Sequence, residues 1–293
     1  MIHVELPGPI DLPISLAPLG RSGDDGIDRW DGTTLVRTLR GDDGSPIPIV
    51  ATVAGDTASP ALDVAAALTA GGVADAVRAT FVSPPPSLGK LGDEDEAVGR
   101  LIRLHPGVVP VLYPDPLTGL IRSISAQQVN LRWAATVRRR IAERYGTRHE
   151  VGGTFVYSLH AGPLASATVE ELFKLQLTQA KARSVIAVGE AGVAGALNYK
   201  ALAVMSDEEL ISHLTEIRGI GRWSAEWFLA RTLGRPRVVA GDLGVRKAVG
   251  QMYLAGAVPS EDDVRRLTAH WGYAATHVQA LALHDLAVPT AGT

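Results

Sequence analysis

Asp242 sits within Gly241-Asp242-Leu243-Gly244-Val245, 21 residues after Gly221, and opens a helical run. A carboxylate at a helix start is held ionised by backbone N–H donors and by the helix dipole. Such a group can stabilise positive charge developing on a reactant, or orient a water for attack. It also serves as an ordinary N-cap for residues 243–253, so its role depends on its surroundings. Upstream, LTEIRGIGRWSAEW (214–227) joins two helical segments through Arg218-Gly219-Ile220-Gly221, a link short enough to require a tight hairpin. Glycines at 219 and 221 permit backbone conformations that a Cβ forbids. They also let the turn lie close against another molecule, with bare N–H groups and the next helix N-terminus facing an anion. Arg218 and Arg222 add positive charge. Trp223 and Trp227 follow at i and i+4 on one helical face. They either pack in a core or form a wall for a flat ring, where a cation over an indole gains roughly 0.5–2 kcal/mol.

These residues need a scaffold, and the bulk numbers describe one. The chain has 293 residues, 46% hydrophobic and 20% charged, enough for two or three domains with buried cores. Cysteine is absent, which excludes disulfides, iron–sulfur clusters and cysteine zinc sites. The first twenty residues lack a basic region before an apolar one, so no signal peptide is expected. No apolar stretch of about 18 residues occurs, and a cytoplasmic location with no membrane partner is the expectation. The net charge of −3 is unevenly spread. Residues 1–112 carry 8 basic against 15 acidic side chains, and residues 113–293 carry 20 against 16. A basic C-terminal part suits a partner bearing phosphates, or is simply a mildly basic surface.

Residues 1–105 read as an α/β unit. Segments 33–40 and 47–53 are β-branched and flank the turn-forming GDDGSP, which predicts an antiparallel hairpin. An alanine-rich helix is expected over 61–70, ended by Gly71-Gly72, and a short helix over 93–104. Residues 106–293 form the second unit, helical almost throughout from Asp115. Thr168 with Glu171 and Ser206 with Glu209 are capping boxes. The second box starts a helix over 207–217, followed by helices over 223–233 and 243–253 and a final pair over 261–270 and 274–287. The Arg138-Arg139-Arg140 run reads as a solvated helix face, in preference to a DNA-contacting one.

Leu214, Ile217, Gly219, Ile220, Gly221 and Ala225, with Asp242 downstream, resemble the helix-hairpin-helix superfamily of DNA glycosylases. Within it, LIRSISAQQV (120–129), GIGRWSAEW and GDLGVR are similar to the 3-methyladenine DNA glycosylase II (AlkA-like) family, specifically from about 115 to 271. The fold class implied is α+β: an N-terminal domain like the TATA-binding protein, then two helical subdomains with a DNA cleft between them.

The resemblance implies a monofunctional DNA N-glycosylase acting as a monomer on damaged bases in double-stranded DNA. Its substrates would be alkylated purines of the 3-methyladenine and 7-methylguanine class. A glycosylase for neutral lesions such as hypoxanthine or ethenoadenine, and a catalytically silent damage-binding protein, are the alternatives. Asp242 takes the position of the catalytic carboxylate, facing an oxocarbenium-like sugar. Trp223 stands where strand-cleaving relatives carry a nucleophilic lysine, and Arg222 cannot lose a proton to replace it. Trp223, Trp227 and Leu243 fall in the base pocket, and Gln128 falls where a side chain fills the gap left by the flipped nucleotide. Residues 218–222 grip a phosphate. No cofactor is implied for catalysis, but the carbonyls of Thr215, Ile217 and Gly219 would hold a monovalent cation, Na+ or K+. Two departures thin the aromatic cage: Leu243 replaces a tyrosine, and Ala17-Pro18-Leu19 lacks a phenylalanine. Trp30 and Tyr273 are the candidate replacements.

Overall fold

Alternating apolar residues near the start of the chain form a five-stranded antiparallel sheet in the computed structural model, which describes residues 1–66 and 72–288. The strands are β1 (Ile2–Glu5), β2 (Asp28–Trp30), β3 (Thr34–Arg40), β4 (Pro46–Gly55) and β5 (Pro60–Ala66), in the order β1-β5-β4-β3-β2. The expected hairpin is β3–β4, in register from Thr34 opposite Thr52 to Arg40 opposite Pro46. The helix expected over 61–70 is not formed at 61–66, which is β5; residues 67–70 lie outside the described residues. Leu62 and Val64 are fully buried, and β5 is bonded to β1 on one side and β4 on the other. Pairing on both edges overrides alanine's helix preference. The helix Leu12–Arg21 lays Leu12, Leu16 and Leu19 on this sheet's core, against Ile49 and Leu62.

Two helices, Ser87–Glu94 and Glu96–Leu104, occupy the region where one was expected over 93–104. Asp95 ends the first and caps the second, accepting from the Val98 N–H at 3.1 Å. Both pack with the C-terminal helices: Leu91 and Val98 share a core with Val245, Val249, Trp271 and Val278. Tyr253 donates to Asp95 at 2.6 Å and accepts from the Trp271 indole at 3.0 Å, fastening that contact.

The largest core surrounds the buried helix Pro116–Ala126, whose Leu120, Ile121 and Ile124 meet Val185, Phe228 and Leu229. Both capping boxes form, at Thr168–Glu171 and Ser206–Glu209. The helices they serve, Val169–Lys174 and Asp207–Thr215, start where expected. Arg222–Arg231, Leu243–Tyr253, Glu261–Thr268 and Ala275–Ala287 complete the helical part. One stretch expected to be helical is a hairpin, β6 (Gly146–Val151) with β7 (Thr154–Leu159). Alternation about the Gly152-Gly153 turn accounts for it, and Val151 and Val156 pack on Val36 and Val50 of the sheet. Among the described residues no helix is long and apolar enough to cross a membrane.

A buried charge cluster joins the sheet to the helices. Arg122 reaches Asp25 at 2.8 Å and Asp28 at 2.6 Å; Arg37 meets Asp28 at 2.9 Å, and Arg138 meets Asp25 at 2.9 Å. Burial alone would raise the Asp25 carboxyl, but Arg122 and Arg138 outweigh it and hold it below its ordinary value. The expectation of a solvated 138–140 face therefore fails at Arg138, which is 5% exposed. Ala134, Arg138, Ile141 and Tyr145 form one buried stripe of the helix Leu131–Tyr145, so Arg138 faces inward by helical spacing. Arg139 pairs with Asp24 and Glu143, and Arg140 bonds Gln176 and lies over the Trp133 ring.

Candidate active site

Asp242 caps the helix Leu243–Tyr253, with Oδ1 accepting from the Val245 N–H at 3.1 Å. No partner for Oδ2 occurs among the described residues. The neighbouring glycines keep this carboxylate accessible. A Cβ at Gly244 would lie 3.0 Å from Oδ1, and one at Gly241 would lie 3.6 Å from the Trp223 ring. The absent side chain at 244 thus leaves space beside the carboxylate, whereas at 241 the tight neighbour is Glu261 Oε2, 3.2 Å from where a Cβ would lie.

The carboxylate opens onto a cavity of about 570 Å³ lined by Trp223, Trp227, Asp242 and Leu243, four of the residues singled out in the sequence. Its walls come from distant parts of the chain: the helix Leu12–Arg21 through Pro18 and Leu19, the segment 108–113, the hairpin's second helix, and the final helix through Leu283 and His284. Leu243 is 57% exposed at the mouth.

Neither candidate replacement belongs to the cage. Trp30 packs against the core beneath the sheet, and Tyr273 is 79% exposed on the short turn Ala269–Ala274. The third ring is Tyr113, stacked on Trp227 with centroids 5.5 Å apart and planes 18° off parallel. Arg122 lies over the Tyr113 ring at 4.4 Å and Arg231 at 5.5 Å. The buried charge cluster thus backs the aromatic wall. Tyr113 escapes a reading of the sequence because it precedes the helix by a Pro-Asp-Pro turn and shares no periodicity with the tryptophans.

The hairpin lies beside this cavity. Gly219 has φ +83°, and a Cβ there would fall 1.8 Å from Ser184 Oγ, so glycine is required for both conformation and space. Gly221 differs from expectation. Its φ of −97° suits any residue, and a Cβ there would meet nothing within 4 Å. What its bare Cα leaves open is the approach to the N-terminus of Arg222–Arg231, which no side chain caps. The first bond within that helix is from Ala225 N–H to Gly221 O, so the N–H groups before it point outward. Arg218 forms no ion pair among the described residues, whereas Arg222 pairs with buried Glu226 at 3.0 Å. Ile220 is 3% exposed and anchors the turn in the core. Of the three carbonyls, that of Ile217 accepts from the Ile220 N–H at 3.0 Å, and that of Gly219 accepts from Gln127 Nε2 at 3.3 Å.

Gln128 is exposed and in the left-handed region at φ +54°. Its neighbours Val129 and Leu131 line the cavity.

Residues 121–272, which hold the hairpin and the carboxylate, match the family model described as HhH-GPD superfamily base excision DNA repair protein. The chain belongs to this superfamily. It is 27% identical over 176 residues to a Bacillus subtilis protein named putative DNA-3-methyladenine glycosylase, a match covering 60% of each chain. The chain therefore spans about 60% of that relative's length. The fold is that of a 3-methyladenine DNA-glycosylase from Archaeoglobus fulgidus, with a TM-score of 0.85 and 24% identity over 99% of this chain and 100% of that one. An 8-oxoguanine glycosylase/lyase from Clostridium acetobutylicum, in complex with double-stranded DNA, shares the fold at a TM-score of 0.68 and 15% identity, covering 88% of this chain and 97% of that one. Tyr113, Pro18, Leu19 and the final helix lie outside the superfamily match, so a good part of the cavity wall is not described by the family model.

Proposed function

We propose that this superfamily member is a monofunctional DNA N-glycosylase, removing alkylated purines from double-stranded DNA and leaving an abasic site. The observation that carries the reading is Asp242 opening onto the same cavity as three aromatic rings, beside a hairpin that leads into a helix N-terminus no side chain caps. In this reading the hairpin holds a backbone phosphate through the N–H groups of that terminus and Arg218. The second lone pairs of the Ile217 and Gly219 carbonyls, with the Thr215 carbonyl, would hold a monovalent cation bridging to that phosphate. Gln128 enters the stack as the damaged nucleotide turns out, offsetting part of the few kcal/mol that extrusion costs. The base stacks on Trp223 and Trp227, and a positively charged alkylpurine gains cation–π attraction there. As the glycosidic bond lengthens, the free oxygen of Asp242 faces the sugar's growing positive charge, and the same carboxylate orients the attacking water.

Hydrolysis without strand cleavage is supported by Trp223 in the lyase-lysine position and by the absence of lysine among the residues lining the cavity. Lys247 is exposed, on the helix that Asp242 caps. The protein is proposed to work as a monomer, in the cytoplasm. A second reading, release of neutral lesions such as hypoxanthine or ethenoadenine, is favoured by the half-buried Arg231 over the Tyr113 ring, which has no ion-pair partner among the described residues and whose positive charge disfavours a cationic base.

The test is incubation with duplexes carrying 7-methylguanine, hypoxanthine or ethenoadenine, with and without alkali and with borohydride present. Strand breaks that require alkali, fastest at 7-methylguanine, and no trapped protein–DNA adduct are the expected result. Faster release of a neutral base selects the second reading. An adduct lost in Lys247→Ala refutes the monofunctional mechanism, and tight binding with no abasic site from any duplex refutes glycosylase activity.

A further inference from the structure

The helix Pro116–Ala126 ends next to the hairpin, and the connection 127–130 carries Gln128 at its tip. The last carbonyls of a helix have no partner within it. Here Lys181, from the start of the helix Gln179–Val193, donates from Nζ to Ser125 O at 3.1 Å and to Gln127 O at 2.6 Å. An ammonium at a helix C-terminus is also favoured by the helix dipole. Burial holds the Lys181 amine below its ordinary value.

The tip is fixed on its other sides as well. Gln127 Nε2 donates to Gly219 O at 3.3 Å and lies 3.5 Å from Ser224 Oγ, which ties the connection to the hairpin. Asn130 caps the next helix, accepting from the Trp133 N–H at 2.8 Å. Between these anchors Gln128 adopts φ +54°, a conformation that a residue with a Cβ holds only where its surroundings impose it. A side chain that enters a base stack must not fold back when the stack resists.

We propose that Lys181 is a positioning residue for base extrusion: by gripping the carbonyls of Ser125 and Gln127 it holds the turn that presents Gln128 to the DNA. The inference deepens the glycosylase reading and rests on its placement of Gln128. Lys181 does not line the cavity that holds Asp242 and the aromatic rings. Its removal therefore affects the step that costs unstacking energy and spares the chemistry once a base is out.

The decisive experiment compares wild type, Lys181→Met and Lys181→Arg in single turnover on 7-methylguanine, once in a fully paired duplex and once in an unpaired bubble, where extrusion costs little. Loss of the charged hydrogen bonds should slow Lys181→Met roughly tenfold on the paired substrate and less than about twofold in the bubble. Lys181→Arg, which keeps the charge, should recover most of the loss. A parallel titration uses a duplex with an abasic analogue beside 2-aminopurine, whose fluorescence reports unstacking without any chemistry. Lys181→Met should bind this duplex but give a smaller fluorescence rise. An equal slowing on both 7-methylguanine substrates, or an undiminished rise, overturns the proposal. If wild type releases no base at all, the glycosylase reading fails, and the fluorescence comparison still decides the role of Lys181. Should Lys181→Met not fold, Lys181→Gln takes its place in both arms.

Discussion

Replacing Gly219 with alanine tests the hairpin through two separable effects. The backbone at 219 has φ +83°, and moving an alanine into that region costs about 1–2 kcal/mol. The new methyl would also lie 1.8 Å from Ser184 Oγ and 2.5 Å from its Cβ, so Ser184 or the turn must move, at about 1–3 kcal/mol by analogy with overpacked cores. Together the loss is about 2–5 kcal/mol, a large share of the roughly 5–15 kcal/mol that keeps a typical domain folded. The second effect can be removed. With Ser184→Gly the nearest atom becomes the Cα of residue 184 at 3.5 Å, an ordinary contact. In that background Gly219→Ala should cost only the conformational part, about 1–2 kcal/mol. Urea midpoints at constant slope measure all four proteins of the cycle. Anisotropy with an abasic-analogue duplex at low salt reports any cost absorbed by displacement of the turn, tenfold in affinity for about each 1.4 kcal/mol. If Gly219→Ala costs the same in both backgrounds, or leaves stability and affinity untouched, the steric account of the turn is wrong.

Gly221→Ala should behave oppositely, changing stability by less than about 0.5 kcal/mol, because its φ of −97° and empty surroundings accept a methyl. Gly221→Asp should weaken binding to every DNA duplex alike, and an unchanged dissociation constant at low salt refutes phosphate contact there. Asp242→Asn should keep lesion binding and lose base release by at least about a hundredfold, the scale of one electrostatic group in a reaction centre; wild-type single-turnover rates exclude Asp242 as the catalytic group. Asp25 has a folded pKa below its ordinary value, so its stabilising contribution is present above pH 3.8 and is lost as the pH falls through the folded value. Asp25→Asn leaves Arg122 and Arg138 with reduced compensation and should cost about 3–5 kcal/mol at neutral pH. It should also flatten the acid limb of a stability–pH curve, and an unchanged limb would show that Asp25 does not set it.

The chain itself carries the hairpin, the carboxylate and the two tryptophans. They are legible because each rests on local chemistry: glycine between helices, an Asp at a helix start, and aromatic residues one turn apart. The two capping boxes and the β3–β4 hairpin are local in the same sense. Residues 61–66 mislead for the complementary reason: an alanine-rich segment reads as helix until strands arrive on both its edges, from residues far away in sequence. Arg138 belongs between the two cases. The stripe it shares with Ala134 and Ile141 was present in the sequence, but an arginine on it is explained only by Asp25, 113 residues earlier. Tyr113 against Trp227, Gln127 against Gly219 and Lys181 against Gln127 are contacts between segments with no common pattern. Periodicity reports which face of an element is apolar, whereas which faces meet is decided by packing of the whole chain. The sequence therefore singled out Trp223, Trp227 and Asp242, and only the tertiary structure brought them to one cavity.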